Sequence, residues 1–211
     1  MYEDSRIMCS IPTRYIPRMT AFNSLLNNIR ACTICEPFLP DGVRPIVQAH
    51  PTARILIAGQ APGRKVHETG IPFDDPSGNR LRDWMGISRE TFYDASKIAI
   101  VPMGFCFPGT GKSGDLPPRT ECAPEWRSDV LGHLSQVQIT LVVGAYAQAY
   151  HLENSHDRLT DAVKDWRAQF PSVIPLPHPS PRNNRWLVRN PWFEAELIPV
   201  LRSQVASVLT V

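Results

Sequence analysis

The stretch ARILIAGQAPG, residues 53–63, decides how the rest of the chain is read. Ile55, Leu56, Ile57 and Ala58 form an unbroken apolar run that stops at Gly59, the pattern of a strand buried on both faces in a parallel sheet. Runs of the same kind recur at residues 98–103, 139–144 and 173–176. Helical periods lie before and between them. Phe22, Leu25, Leu26 and Ile29 share one helix face, and Ser77 can cap a helix running through Leu81, Trp84 and Met85. Residues 124–137, 145–151, 161–170 and 191–208 read as further helices. Strands alternating with helices predict an α/β protein, a three-layer αβα sandwich around a central, mainly parallel four-stranded sheet. Residues 1–20 carry Pro and Arg without a period and read as an arm; residues 21–211 read as a single domain.

In parallel sheets, ligands bind beyond the carboxyl ends of the strands. Three loops leaving those ends have unusual composition: GQAPG (59–63), MGFCFPG (103–109) and PHPSPRNNRW (177–186). They are expected to meet over one cleft. The middle loop continues as GTGKSGDLPP, which superficially matches a phosphate-binding loop. Such a loop needs glycine where this chain has Cys106, and a helix starting at Lys112. Pro117 and Pro118 withhold amide donors and force extended backbone before them, so that helix is excluded and no nucleoside triphosphate is expected.

Of 211 residues, 43% are hydrophobic and 20% charged, as in a soluble globular protein. No apolar run reaches membrane-spanning length and no signal-peptide core is evident, so the expectation is a cytoplasmic protein without a membrane partner. A net charge of +2 permits nucleic-acid binding without arguing for it. The five cysteines, Cys9, Cys32, Cys35, Cys106 and Cys122, are an odd number, which argues against a disulfide framework. Cys32-x-x-Cys35 has the bite of a metal or redox pair, against the alternative that all are ordinary buried thiols.

Gly59-Gln60-Ala61-Pro62-Gly63, continuing to Gly70-Ile71-Pro72-Phe73, and His178-Pro179-Ser180-Pro181 together resemble the two signature motifs of the uracil-DNA glycosylase superfamily. The resemblance runs over about residues 30–200 and is nearest to the iron–sulfur branch, from which this chain diverges. In that branch a C-x-x-C precedes the first motif and two cysteines follow the second strand. The resemblance therefore implies that Cys32, Cys35, Cys106 and Cys122 hold a [4Fe–4S] cluster, with structural zinc as the competing reading.

The implied activity is hydrolysis of the N-glycosidic bond of uracil or another damaged or deaminated base flipped out of DNA, as in base excision repair. Breaking that bond leaves positive charge on the sugar and negative charge on the departing base, so the site needs donors at the base and an anion or poised water at the sugar. The resemblance assigns His178 as donor to the base oxygen and Phe73 as the ring that stacks on the base. Gly59, Gln60, Ala61, Pro62 and Gly63 form the loop around sugar and water.

Two departures stand out. Where efficient relatives place a water-orienting aspartate, this chain has Ala61; His67 or Glu68 could substitute, with Asp74 and Asp75 as further candidates. Where relatives read the uracil edge with asparagine, this chain has Pro102, which offers no donor, leaving the backbone of Met103 and Gly104 or the side chain of Asn79.

DNA contact is expected from Arg64, Lys65, Arg80 and Lys112, and from the segment after His178: Ser180, Arg182, Asn183, Arg185 and Trp186. An apolar or Arg wedge is sought among residues 182–187. No lysine is obviously poised for a Schiff base, so the expected enzyme is monofunctional. The rival reading is a non-catalytic module that binds damaged or single-stranded nucleic acid, favoured by the two departures.

Overall fold

The computed structural model describes residues 15–112, 114–152 and 158–210. In chain order the elements are α1 (Tyr15–Arg30), β1 (Ile55–Ala58), α2 (Arg64–Thr69), α3 (Pro76–Met85), α4 (Arg89–Tyr93) and β2 (Ile98–Ile100). A two-residue hairpin follows, β3 (Thr110–Gly111) and β4 (Gly114–Asp115), then α5 (Ser128–His133), β5 (Ile139–Val143) and α6 (Ala145–His151). The chain closes with α7 (Leu159–Lys164), β6 (Val173–Leu176), α8 (Asn184–Arg189) and α9 (Ile198–Leu209).

The central sheet has strand order β2-β1-β5-β6 and is parallel throughout. Its period-2 alternation sorts the side chains into two layers. Ile55, Ile57, Ile98, Ile100, Ile139, Leu141, Ile174 and Leu176 face one way, into a core with Leu81 and Met85 of α3 and Leu201 and Val205 of α9. Leu56 and Ala99 face the other way, against Phe22, Leu26 and Ile29 of α1 and Val130 of α5. Each such aliphatic or aromatic side chain contributes about 1.5–3 kcal/mol on burial. The four apolar runs thus become the strands, and the three-layer sandwich follows from them.

Several local expectations need correction. The predicted arm, residues 1–20, is not wholly outside the fold, because α1 already begins at Tyr15; residues 1–14 lie outside the described residues. The cap of α3 is Asp75, whose Oδ1 accepts from the Gly78 amide at 2.8 Å, whereas Ser77 is buried within the first turn. Residues 64–69, for which no helix is predicted above, form α2. The long helices predicted at 124–137 and 191–208 each begin with a π-helical stretch, Ala123–Arg127 and Phe193–Leu197. In the second case Pro199 follows at the start of α9, where its missing amide and its ring disfavour a regular i→i−4 bond. The helix predicted at 161–170 ends at Lys164 and gives way to a short 3₁₀ turn. Across the hairpin Thr110 stands opposite Asp115 and Gly111 opposite Gly114, and no helix starts at Lys112.

Candidate active site

The three loops meet. A cleft of about 430 Å³ lies beyond the carboxyl ends of β1, β2 and β6, and Gly59, Gln60, Phe73, Pro102, Asp115 and His178 are among its walls. Ala61, Pro62 and Gly63 line it too.

Phe73 forms one side in a backbone conformation that side chains rarely adopt, with φ of 55°. Such a conformation costs on the order of 1–3 kcal/mol and persists only where its surroundings dictate it. Here they do. The Phe73 carbonyl accepts from Arg82 Nη1 at 3.5 Å and sits directly against Gly78. The ring meets Phe92 edge-on at 6.1 Å between centroids, and a Cβ on Gly59 would lie 3.5 Å from its tip. Arg82, itself buried, spreads over Phe92 at 5.1 Å and donates to Asn79 Oδ1 at 2.6 Å. Asn79 is thereby spent on Arg82 and stays out of the cleft, contrary to the expectation that it reads a base.

His178 faces the cleft from the loop after β6. The Ser180 amide donates to His178 Nδ1 at 3.2 Å, which assigns the remaining ring proton to Nε2. Burial holds the imidazole below its ordinary pKa, partly offset by the nearby carboxylates of Asp75 and Asp115. A neutral Nε2–H donor at neutral pH is the result. The loop is pinned from outside: Arg80 Nη1 donates to the carbonyls of Pro179 at 3.3 Å and Ser180 at 3.1 Å, and its Nη2 donates to Asn184 Oδ1 at 2.7 Å. Asn183 Nδ2 donates to the His178 carbonyl at 2.7 Å. Arg80 and Asn183 therefore position the histidine through these side-chain donors.

Other expected residues are not brought to the cleft. His67 and Glu68 do not line it: His67 Nε2 lies 3.0 Å from the Asp41 carbonyl, its ring stands near Phe107, and Glu68 is exposed. The short helix α2 turns Val66 inward, so its neighbours point elsewhere. The amides of Met103 and Gly104 bond to the carbonyls of Gly59 and Gln60, at 2.9 and 3.0 Å, and are unavailable to a base. Trp186 is structural: Nε1 donates to Thr160 Oγ1 at 2.8 Å and the ring packs on Trp192 and Phe193. Arg64 bridges Asp41 at 2.9 Å and Thr110 at 3.3 Å. Lys65, Lys112, Arg182 and Arg185 are exposed, and Ser180 and Arg182 reach the cleft wall.

Among the wall residues that sequence reasoning missed are Asp115 and Leu116. Both sit on or beside β4, and Gln60 Nε2 reaches the Leu116 carbonyl at 3.5 Å. The signal was the spaced glycines Gly109, Gly111 and Gly114, which mark a hairpin.

A second, smaller pocket backs onto the first. Residues 102–108 form the partition: Pro102 and Pro108 face the cleft, while Gly104, Phe105 and Cys106 face the other side. There Cys32, Cys35, Cys106 and Cys122 line one space, all as free thiols, with Ile29, Leu39 and Trp126 around them. The Phe105 amide donates to Cys122 Sγ at 3.3 Å. Burial pushes Cys106 up to about 11 and Cys122 up to about 12, with the neighbouring thiols adding to the effect. Among the described residues, no three His, Cys, Asp or Glu side chains are arranged to hold a single metal ion. Cys9 lies outside the described residues. No helix among them is long and apolar enough to cross a membrane.

Residues 47–202 match the family model of the uracil DNA glycosylase superfamily, and the chain belongs to that superfamily. Membership suggests DNA glycosylase activity in general terms and a place in DNA repair.

Proposed function

We propose that this member of the uracil DNA glycosylase superfamily is a monofunctional DNA glycosylase acting on uracil or another deaminated base flipped out of DNA. The observation that carries the reading is the Ser180–His178 hydrogen bond. It fixes a neutral imidazole with its Nε2–H as donor, in the same cleft as Phe73. As the C1′–N bond breaks and its electron pair moves onto the base, negative charge grows on the base oxygen. A preorganised donor inside a partly desolvated cleft stabilises that charge more than it stabilises the substrate. Phe73, held by Arg82 and Gly78, offers a rigid face on which a flipped base can stack. No lysine lines the cleft among the described residues, which supports hydrolysis without strand cleavage.

DNA engagement would rest on exposed cations, Arg182 on the cleft wall and Lys65, Lys112 and Arg185 on the surface, which suit phosphate contacts. With Trp186 packed inward, Leu116, 42% exposed at the lip, is the apolar group suited to fill the gap a flipped base leaves.

The four thiols fit a [4Fe–4S] cluster. None of them is in a disulfide, they share one mainly apolar pocket, and the Cys122 sulfur receives an N–H donor from Phe105, surroundings such a cluster uses. A single zinc would draw four sulfurs to within roughly 3.8 Å of one another, given tetrahedral Zn–S bonds of about 2.3 Å. A cubane spaces its ligands more widely, in keeping with thiols that share a pocket but form no single-ion site. When bound, the cluster would cross-link residues 32–35 to the partition behind the cleft and supply no step of hydrolysis.

The reading is tested by incubating the protein with oligonucleotides carrying uracil, hypoxanthine, xanthine or hydroxymethyluracil, then cutting abasic sites with hot alkali. Cleavage at one or more lesions is expected. Binding of all four without cleavage would instead establish a non-catalytic recognition module.

A further inference from the structure

Two carboxylates line the cleft, Asp75 and Asp115. They are not equivalent. Asp75 is committed to the first turn of α3, where its Oδ1 accepts from the Gly78 amide. Asp115 lies on β4, in the hairpin that forms part of the cleft wall, and no hydrogen bond or ion pair holds its carboxylate among the described residues. Its position is nevertheless fixed. Thr110 pairs with Asp115 across the hairpin, and the Leu116 amide bonds to the Gly109 carbonyl at 2.9 Å. Gly114, with φ of 137°, lies so close to Arg182 that a Cβ there would sit 1.8 Å from Nη1, so the loop after His178 packs directly on the hairpin. On the other side, a Cβ on Gly63 would lie 3.3 Å from Asp115 Oδ2. Asp115 is thus an exposed residue of the cleft wall, its carboxylate near Gly63 of the first motif loop and its hairpin packed on the loop after His178, and it borders the same space as His178 and Phe73.

We infer that Asp115 is the catalytic carboxylate of this site, holding the attacking water and balancing the positive charge that develops on the deoxyribose. The inference rests on the glycosylase reading and deepens it. The position where an acid was sought carries Ala61, and His67 and Glu68 do not line the cleft, so the negative charge arrives from an element outside both motifs. That Asp115 acts electrostatically on His178 agrees with this placement. In the step, the C1′–N bond breaks with its electron pair passing to the base, whose oxygen is bound by His178 Nε2–H. The water oxygen forms a bond to C1′ and gives one proton to Asp115. The base anion takes one proton from solvent and Asp115 returns its own, so that water is consumed and the abasic sugar and neutral base are released.

The test is single-turnover excision from the lesion that the wild-type protein cuts best, with Asp115→Ala and Asp115→Asn. Both variants are expected to lose about 10²-fold or more in rate, the usual worth of a positioned base, with affinity for the damaged oligonucleotide changed less than threefold. Added formate is expected to restore part of the rate to Asp115→Ala, where the cavity admits it, and not to Asp115→Asn. A structural role alone would give no such rescue. Rates within threefold of wild type for both variants, while His178→Ala is inactive, would overturn the role of Asp115 and leave the glycosylase reading standing. If the wild-type protein cuts no lesion, the reading falls and this inference falls with it.

Discussion

Gly78 lies against the backbone of Phe73 so closely that a Cβ placed on it would sit 1.8 Å from the Phe73 carbonyl oxygen. The first turn of α3 and the strained stacking residue are therefore one mechanical unit. Because the atom in the way is backbone, it cannot swing aside as a side chain would. Gly78→Ala is expected to destabilise the fold by about 3 kcal/mol or more. In thermal unfolding that corresponds to a fall in Tm of roughly 6–12 °C for a domain of this size. A variant melting within about 2 °C of wild type would show that Phe73 is not held in this way.

His151 gives the fold a defined acid sensitivity. It accepts from the guanidinium of Arg127, which is 0% exposed and also donates to the carbonyls of Val101 and Pro102 at 2.7 and 2.9 Å. Burial, and then the cation beside it, bring His151 down to about 4. The unfolded chain takes up this proton below about pH 6.5, whereas the folded chain resists it until about 4. The stabilisation from neutral His151 is therefore complete above pH 6.5 and is lost as pH falls from 6.5 to 4, by about 3 kcal/mol in all. Urea midpoints followed over that range should fall more steeply for wild type than for His151→Gln, which keeps an acceptor without a titration. Parallel curves would contradict the assignment.

The thiol pocket makes a chemical prediction. Protein purified without oxygen is expected to be brown and to carry about four irons per chain, and Cys106→Ser to lose both the colour and most of the iron. Zinc at one equivalent with a colourless protein would replace the cluster by a single-ion site. Absence of either metal would leave four half-buried thiols with packing roles.

The layers of the fold were legible because the strands announce themselves. The apolar runs at Ile55 and Ile139 can be satisfied only by burial on both faces, and tertiary context had nothing to override. Helix starts were less legible. Asp75 rather than Ser77 caps α3, since both suit an N-cap and only the entry of the chain from Phe73 decides between them. Of the site, His178, Phe73 and the loop at 59–63 could be read from the motifs. His67 and Glu68 could not be placed, because α2 is a single short helix whose phase sets which side chain faces the cleft, and that phase belongs to Val66. Trp186 was ambiguous for a physical reason: a large amphipathic ring serves equally at a DNA surface or in a core, and the Thr160 hydroxyl decides for the core. Asp115 escaped because its role depends on a fold-back between Gly109 and Leu116 that has no period to read.

The central claim is that an imidazole donor and a stacked base share one cleft, so that the bond to the base is cut by water. It is tested most directly by mass spectrometry of the free base released from a lesion-bearing oligonucleotide, comparing wild type with His178→Ala. The prediction is stoichiometric release of the intact base by wild type and a rate lower by about 10²–10³-fold in His178→Ala, with unchanged Tm. Release at equal rates by both proteins, or by neither, would contradict it.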